Sequence, residues 1–141
     1  MNEFVNMLRE SENIVFFGGA GVSTESGIPD FRSEQGIYNT RRQFGVSPEE
    51  ILSHTYFLRH TDKFFDFYKS TMVYTSAKPN KAHEALAKLE AMGKLKAIVT
   101  QNIDGLHQAA GSKTVYELHG TIHKNYCMKC GKYYDLDYVM K

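Results

Sequence analysis

The sequence predicts an α/β fold built on a parallel sheet, and three observations predict it. Short apolar runs of strand length recur at residues 13–17, 97–100 and 114–118, helical patterns separate them, and polar or glycine-rich chemistry follows each one. Strand, helix, strand, helix, strand implies parallel pairing with right-handed crossovers.

Taken in order, Phe4, Val5 and Leu8 make an apolar stripe for a short opening helix. Ile14, Val15, Phe16 and Phe17 run on without a polar break, as in a strand buried on both faces. Gly18, Gly19 and Gly21 follow, where the backbone N–H groups of a strand-to-helix turn can meet a pyrophosphate, and a helix is expected next. The fingerprint G-x-G-x-x-G would need glycine at 24, but Thr24 stands there, so the glycines alone fit a plain tight turn equally well. In Gly27-Ile28-Pro29-Asp30-Phe31-Arg32 the proline fixes its own backbone and biases Ile28 away from helix. Phe31 and Arg32 can stack on a ring and grip a phosphate, or serve as a buried Phe and a surface Arg in a loop. Residues 33–45 are polar with two glycines and read as a long, mobile loop. Ser47-Pro48-Glu49-Glu50 signals a helix start, with the helix running to about Arg59. Thr61-Asp62 starts another, whose Phe64, Phe65, Phe67 and Tyr68 need a hydrophobic partner. Pro79-Asn80 opens the best-marked helix, with Ala82, Leu86, Leu89 and Met92 on one face and Gly93 as C-cap. The second strand leads through residues 101–104 into a short helix closed by Gly111, and the third ends at His119-Gly120.

Three places could carry chemistry. Thr100-Gln101-Asn102-Ile103-Asp104 lies at the carboxyl end of the second strand, where open α/β sheets bind ligands. Asn102 and Asp104 offer an amide and a carboxylate, suited to a carboxamide and a sugar hydroxyl, or act simply as helix caps. His119 ends the third strand and can take a proton near neutral pH. Of the other five histidines, His83 and His107 lie on helices and His54 and His60 flank the aromatic cluster. His123 is close by, but the strand end favours His119. Cys127 and Cys130 are the only cysteines, and their spacing suits metal or redox chemistry better than a structural disulfide. Two thiolates do not complete a structural zinc site; His123 is a weaker third ligand, and a redox pair would ordinarily open a helix after a strand. Half a zinc site is the better reading. Three parallel strands are likewise half of a doubly wound sheet, so the chain reads as cut, with an exposed sheet edge that further strands would pair.

Composition narrows the partners. A formal net charge of +1 gives no electrostatic case for nucleic acid or an anionic membrane surface. No apolar run approaches a membrane span, and the first residues mix charge with apolar side chains unlike a signal peptide, so a cytoplasmic location is expected.

The ordered set Gly19-Ala20-Gly21-Val22-Ser23, Gly27-Ile28-Pro29-Asp30-Phe31-Arg32, Thr100-Gln101-Asn102-Ile103-Asp104, His119-Gly120 and Cys127-x-x-Cys130 resembles the bacterial-type sirtuins, NAD-dependent protein-lysine deacylases. The resemblance covers the N-terminal portion of that family and essentially all of this chain. It implies a Rossmann-like NAD-binding domain over residues 1–35 and 76–120, a helical module over 36–75, and the start of a zinc-ribbon-like module over 121–141. Residues 33–45 resemble the family's mobile cofactor-binding loop. It implies NAD contacts at Gly19, Ala20, Gly21, Thr24, Phe31, Arg32, Gln101, Asn102, Ile103, Asp104 and His119. Asn102 and Asp104 would lie in the nicotinamide pocket, and His119 and Asn102 would be catalytic. Cys127 and Cys130 would be two of four ligands to one structural zinc.

The implied reaction moves the acetyl group of an acetyl-lysine protein or peptide to ADP-ribose and releases nicotinamide, in a protein expected to be monomeric at full length. Gly18 departs from the Thr common at that position, a change expected to be tolerated. The segments that hold the adenosine half of NAD are not in this sequence, so an inactive fragment acting as a binding module is the alternative. A Rossmann oxidoreductase is a third reading, which Thr24 and Phe31-Arg32 argue against. Tyr68-Lys69-Ser70-Thr71 resembles the Tyr-x-x-Arg pair of sirtuins that prefer acidic acyl groups, with Thr71 in place of Arg. Without that guanidinium a negatively charged acyl group has no partner, so acetyl-lysine is expected.

Overall fold

The structure, a computed structural model, describes residues 3–30 and 33–141. Phe31 and Arg32 lie outside the described residues. The core is a three-stranded parallel sheet of β1 (Ile14–Gly18), β2 (Leu95–Thr100) and β3 (Val115–Glu117), in the order β1-β2-β3. The register places Phe16 beside Ile98 and Ile98 beside Val115, while Gly18, Thr100 and Glu117 line up at the carboxyl end. Every strand therefore delivers its following residues to one edge.

Only one face of the sheet is well covered. Phe16 meets His107 of α7 (Leu106–Ala109), with ring centroids 6.0 Å apart, and Ile98 is fully buried. The other face carries the row Phe17, Val99 and Tyr116. There Val15 and Phe17 are each 62% exposed and Tyr116 is 58% exposed, so the run that reads as doubly buried is buried on one side.

α1 (Glu3–Glu10) precedes β1, and the β1–β2 crossover passes through a string of short helices and then α6 (Lys81–Ala91). Asn80 caps α6 by accepting from the Ala82 and His83 N–H groups, and Gly93 follows its C-terminus with φ +75°. The inward face of α6 differs from the apolar stripe of Ala82, Leu86, Leu89 and Met92. Ala82 and Met92 are exposed, and the fully buried residue is His83. Near the far end of α6, the Glu90 carboxylate accepts from Lys113 and Thr114 N–H, both at 2.8 Å, and so fixes the start of β3. Burial raises the pKa of Glu90, but those amides outweigh it and hold the carboxyl below its usual range.

Two expectations are corrected in the crossover. Residues 33–45 are not an open loop: α2 spans Glu34–Phe44. Ser33 Oγ accepts from Gly36 N–H at 3.1 Å, and Gly45 closes the helix with φ +76° and an N–H bond to Arg41 O at 2.9 Å. Nor is there one helix from Ser47 to Arg59. α3 (Pro48–Ile51) stops at Leu52, and Ser53 caps a new helix, α4 (His54–Arg59), by accepting from Tyr56 N–H at 3.2 Å.

The aromatic residues of α5 (Thr61–Phe67) find their partners within this helical segment. Phe67 is fully buried edge-on against Phe44 of α2 at 5.2 Å, and Phe64 packs on Phe57 of α4 at 4.8 Å. α5 widens into a π-helical turn at Tyr68–Met72. After β3 the chain forms a small antiparallel hairpin, β4 (Asn125–Tyr126) with β5 (Tyr133–Tyr134), and ends in α8 (Leu136–Met140). No helix among the described residues is long and apolar enough to cross a membrane.

Candidate active site

The carboxyl edge of the sheet gathers most of the candidate residues. Gln101 N–H extends the β1–β2 pairing by donating to Gly18 O at 3.0 Å, and Leu118 N–H donates to Thr100 O at 2.9 Å. The glycine turn and the segments 101–104 and 118–119 thus leave the sheet side by side.

A regular helix is expected after the glycine segment from its place behind β1, but none opens. The segment forms two successive 3-10 turns, Ala20–Val22 and Thr24–Ser26, ended by Gly27 at φ +83°. The Ser26, Gly27 and Ile28 N–H groups fold back onto Ser23 and Thr24 carbonyls, so the chain turns before a helix can propagate. The first amides of such a turn have no partner inside it. A Cβ built on Gly21 would meet nothing within 4 Å, and one on Gly19 only the Gln101 side chain at 4.0 Å. The space in front of the loop is open, which fits the close backbone approach a pyrophosphate needs. Gly18 is different: a Cβ there would run into the Phe16 ring and come within 3.2 Å of Val22 Cγ2. Glycine fits this position as it stands, and a Thr there would require the ring to move.

One buried hydroxyl ties the two halves together. Ser23 is fully buried, and its Oγ donates to Asp104 Oδ2 at 2.7 Å while accepting from Asn102 Nδ2 at 3.0 Å. Asp104 Oδ1 accepts from Leu106 N–H at 2.9 Å, and Thr100 Oγ1 accepts from Asn102 N–H at 3.0 Å. Asp104 thus accepts at the start of α7 as a cap would, whereas the Asn102 side chain donates to Ser23, so the amide and carboxylate are joined through that hydroxyl. No role for Ser23 follows from its sequence; the signal available was its place between the glycines and the Gly-Ile-Pro segment.

His119 is exposed at the same edge, and its Nδ1 lies 3.0 Å from Gln101 O. A carbonyl only accepts, so Nδ1 carries the proton and the neutral ring presents Nε2 as a base. His123 Nε2 lies 3.3 Å from Asp104 O, and its ring covers Gly105, where a Cβ would come within 2.7 Å of it. Gly105 has φ +71°, so both conformation and space call for glycine.

Behind the edge sit His83 and His107, fully buried and ring to ring at 4.7 Å. Burial first, and then the neighbouring His83, push His107 down to about 4, against the pull of the Asp104 carboxylate. Burial also lowers His83.

Cys127 and Cys130 lie apart from this edge, in the β4–β5 turn. Gly131 N–H donates to Cys127 O at 2.8 Å, and Cys127 N–H to Lys132 O at 2.9 Å. The backbone amides of Cys130 and Lys129, followed by the Cys130 thiol, lower the Cys127 pKa and so favour its thiolate. Among the described residues no group of three or more potential ligands is gathered in one place, so His123 is not brought in as a third.

Residues 19–141 match the model of the Sir2 family. A Clostridium acetobutylicum protein named NAD-dependent protein deacetylase is 65% identical over all 141 residues, which cover 58% of its own length. One of the same name from Clostridium tetani is 66% identical over 95% of this chain and 54% of its own. A Sir2 structure with a deacetylated p53 peptide and 3′-O-acetyl ADP-ribose superposes with a TM-score of 0.85 at 44% identity, over 96% of this chain and 53% of that one. The chain thus spans a little over half the length of the curated relatives it matches. The match runs from the glycine loop through the Cys127–Cys130 pair, and the chain belongs to the Sir2 family.

Proposed function

We propose that the protein is an NAD-dependent protein-lysine deacetylase, passing the acetyl group of acetyl-lysine to ADP-ribose and releasing nicotinamide. The observation that carries this reading is the Ser23 hydroxyl joining the glycine loop to Asn102 and Asp104. It holds the open glycine turn and the polar 101–104 segment against each other at the strand ends, the fixed geometry that cleavage of a dinucleotide needs.

In this reading NAD is a co-substrate. Gly19, Ala20, Gly21 and Thr24 face its pyrophosphate and adjoining ribose, and Gln101, Asn102, Ile103 and Asp104 face the nicotinamide side. Phe31 and Arg32 are assigned to the same site on their motif. The acyl carbonyl oxygen attacks C1′ of the ribose as the bond to nicotinamide breaks. His119 Nε2 takes the proton from a ribose hydroxyl, whose oxygen attacks the acyl carbon; water then adds as the C–N bond to lysine breaks, leaving the acetyl group on ADP-ribose and a free lysine amine. Asn102 orients the reacting groups through an amide already held by Ser23. Cys127 and Cys130 would hold a structural zinc with two further ligands, away from the reaction. The domain division follows: residues 1–35 and 76–120 form the cofactor domain, 36–75 the helical module and 121–141 the start of the zinc module. Thr71, in place of a guanidinium, leaves acidic acyl groups unpaired.

The test is an assay with NAD and an acetyl-lysine peptide. Nicotinamide and deacetylated peptide should appear in equal amounts, faster than with a succinyl peptide. His119→Ala should lower turnover at least about 100-fold with an unchanged melting temperature. Near-normal turnover in that variant would remove His119 from its role, and faster succinyl removal would remove the role of Thr71. NAD binding without nicotinamide release would favour the binding-module alternative, for which no separate feature speaks.

A further inference from the structure

Asn80 lies 58 residues from Val22 in sequence and touches the glycine loop directly. Its Nδ2 donates to Val22 O at 2.7 Å and lies 3.0 Å from Ser26 Oγ. Its Oδ1 accepts from Ala82 N–H at 2.9 Å and from His83 N–H at 3.4 Å, capping α6. The two ends of this amide cannot be exchanged. A flipped side chain would set an oxygen against the Val22 carbonyl and an N–H₂ against two backbone N–H groups. The residues it holds bracket Ser23, whose hydroxyl in turn holds Asn102 and Asp104.

We propose that Asn80 is a positioning residue for the cofactor loop: its acceptor end serves the helix, and its donor end fixes residues 22–26 against that helix. The claim rests on the cofactor reading above. Asn is suited to the position because it is both a good N-cap and an N–H donor. Ser and Asp cap as well but donate nothing at Nδ2, and Asp would also place an oxygen against the Val22 carbonyl.

Amide hydrogen exchange and NAD titration on the whole protein test this. The Val22, Ser23, Ser26, Gly27 and Ile28 amides, all bonded within the loop, report its rigidity, and the amides of α6 report the cap. Asn80→Ser and Asn80→Asp should each speed exchange of the loop amides about tenfold and weaken NAD binding by a similar factor, while α6 exchange stays as it was. Asn80→Ala, which loses both ends, should speed exchange in the loop and in the first turn of α6 together. Unchanged loop exchange in the Ser and Asp variants would overturn the proposal. So would, in those two variants, faster loop exchange with unchanged NAD affinity, or a uniform rise across loop and helix. Failure of the unsubstituted protein to bind NAD would instead strike the functional reading, and loop exchange would still decide whether Asn80 holds the loop.

Discussion

His83 and His107 occupy a place where apolar side chains ordinarily pack. Asn80 N–H donates to His83 Nδ1 at 3.2 Å, so the neutral ring carries its proton on Nε2. That atom and both ring nitrogens of His107 are buried without a hydrogen-bond partner among the described residues. An added proton would find no acceptor there. The sign follows for stability: the folded pKa of His107, about 4, is below its ordinary 6.5. The stabilisation is complete above about pH 6.5 and is lost as pH falls through 4, by about 3 kcal/mol at the limit. Urea unfolding between pH 7 and 4 should show this loss, and His107→Phe should flatten it; an equal slope in both proteins would contradict the assignment. These histidines read as ordinary helical residues in the sequence, because titratable side chains carry no mark of burial. Ser23 went unassigned, and Asn80 was read only as a helix start, for a related reason: each also acts on residues more than fifty positions away.

At the scale of elements, local signals were read well where a cap and a periodic face coincide, as at α6 with Asn80 and Gly93, and at the three strands. α2 was misread because its residues are polar and it holds Gly36, a poor helix former. Its two ends were marked all the same, by Ser33 as cap acceptor and Gly45 as left-handed stop. What keeps it helical is tertiary: Phe44 packs edge-on against Phe67, and Thr40 is buried. Ser33→Ala should therefore cost about 1 kcal/mol, read as a lower melting temperature and a weaker helical dichroism. No change in either would show that packing alone holds α2. The break at Ser53 was hidden because a serine between two helical patterns can sit inside a helix or cap a new one.

For the whole molecule, order along the chain becomes order across the sheet, and that delivers residues 19–24, 101–104 and 119 to one edge. The topology was legible, since alternating strands and helices admit few arrangements. The bare face of the sheet was not: a continuous apolar run looks the same whether one or both sides are covered. The Cys127–Cys130 turn gives a further expectation. Zinc should raise the melting temperature of the protein, with chelation reversing the gain, and Cys127→Ser should abolish the response. A full response in the serine variant would exclude the pair as ligands.

The segment entering the hairpin crosses the strand-end loop as a strap. Ile122 N–H donates to Ile103 O at 3.0 Å, and the His123 ring rests on Gly105 beside the Asp104 carbonyl. Two adjacent backbone carbonyls are thereby shared between the hairpin and the loop that holds Asp104. Any ligand that prefers one pose of the hairpin must shift the loop by the same free energy with which the loop's own ligand shifts the hairpin.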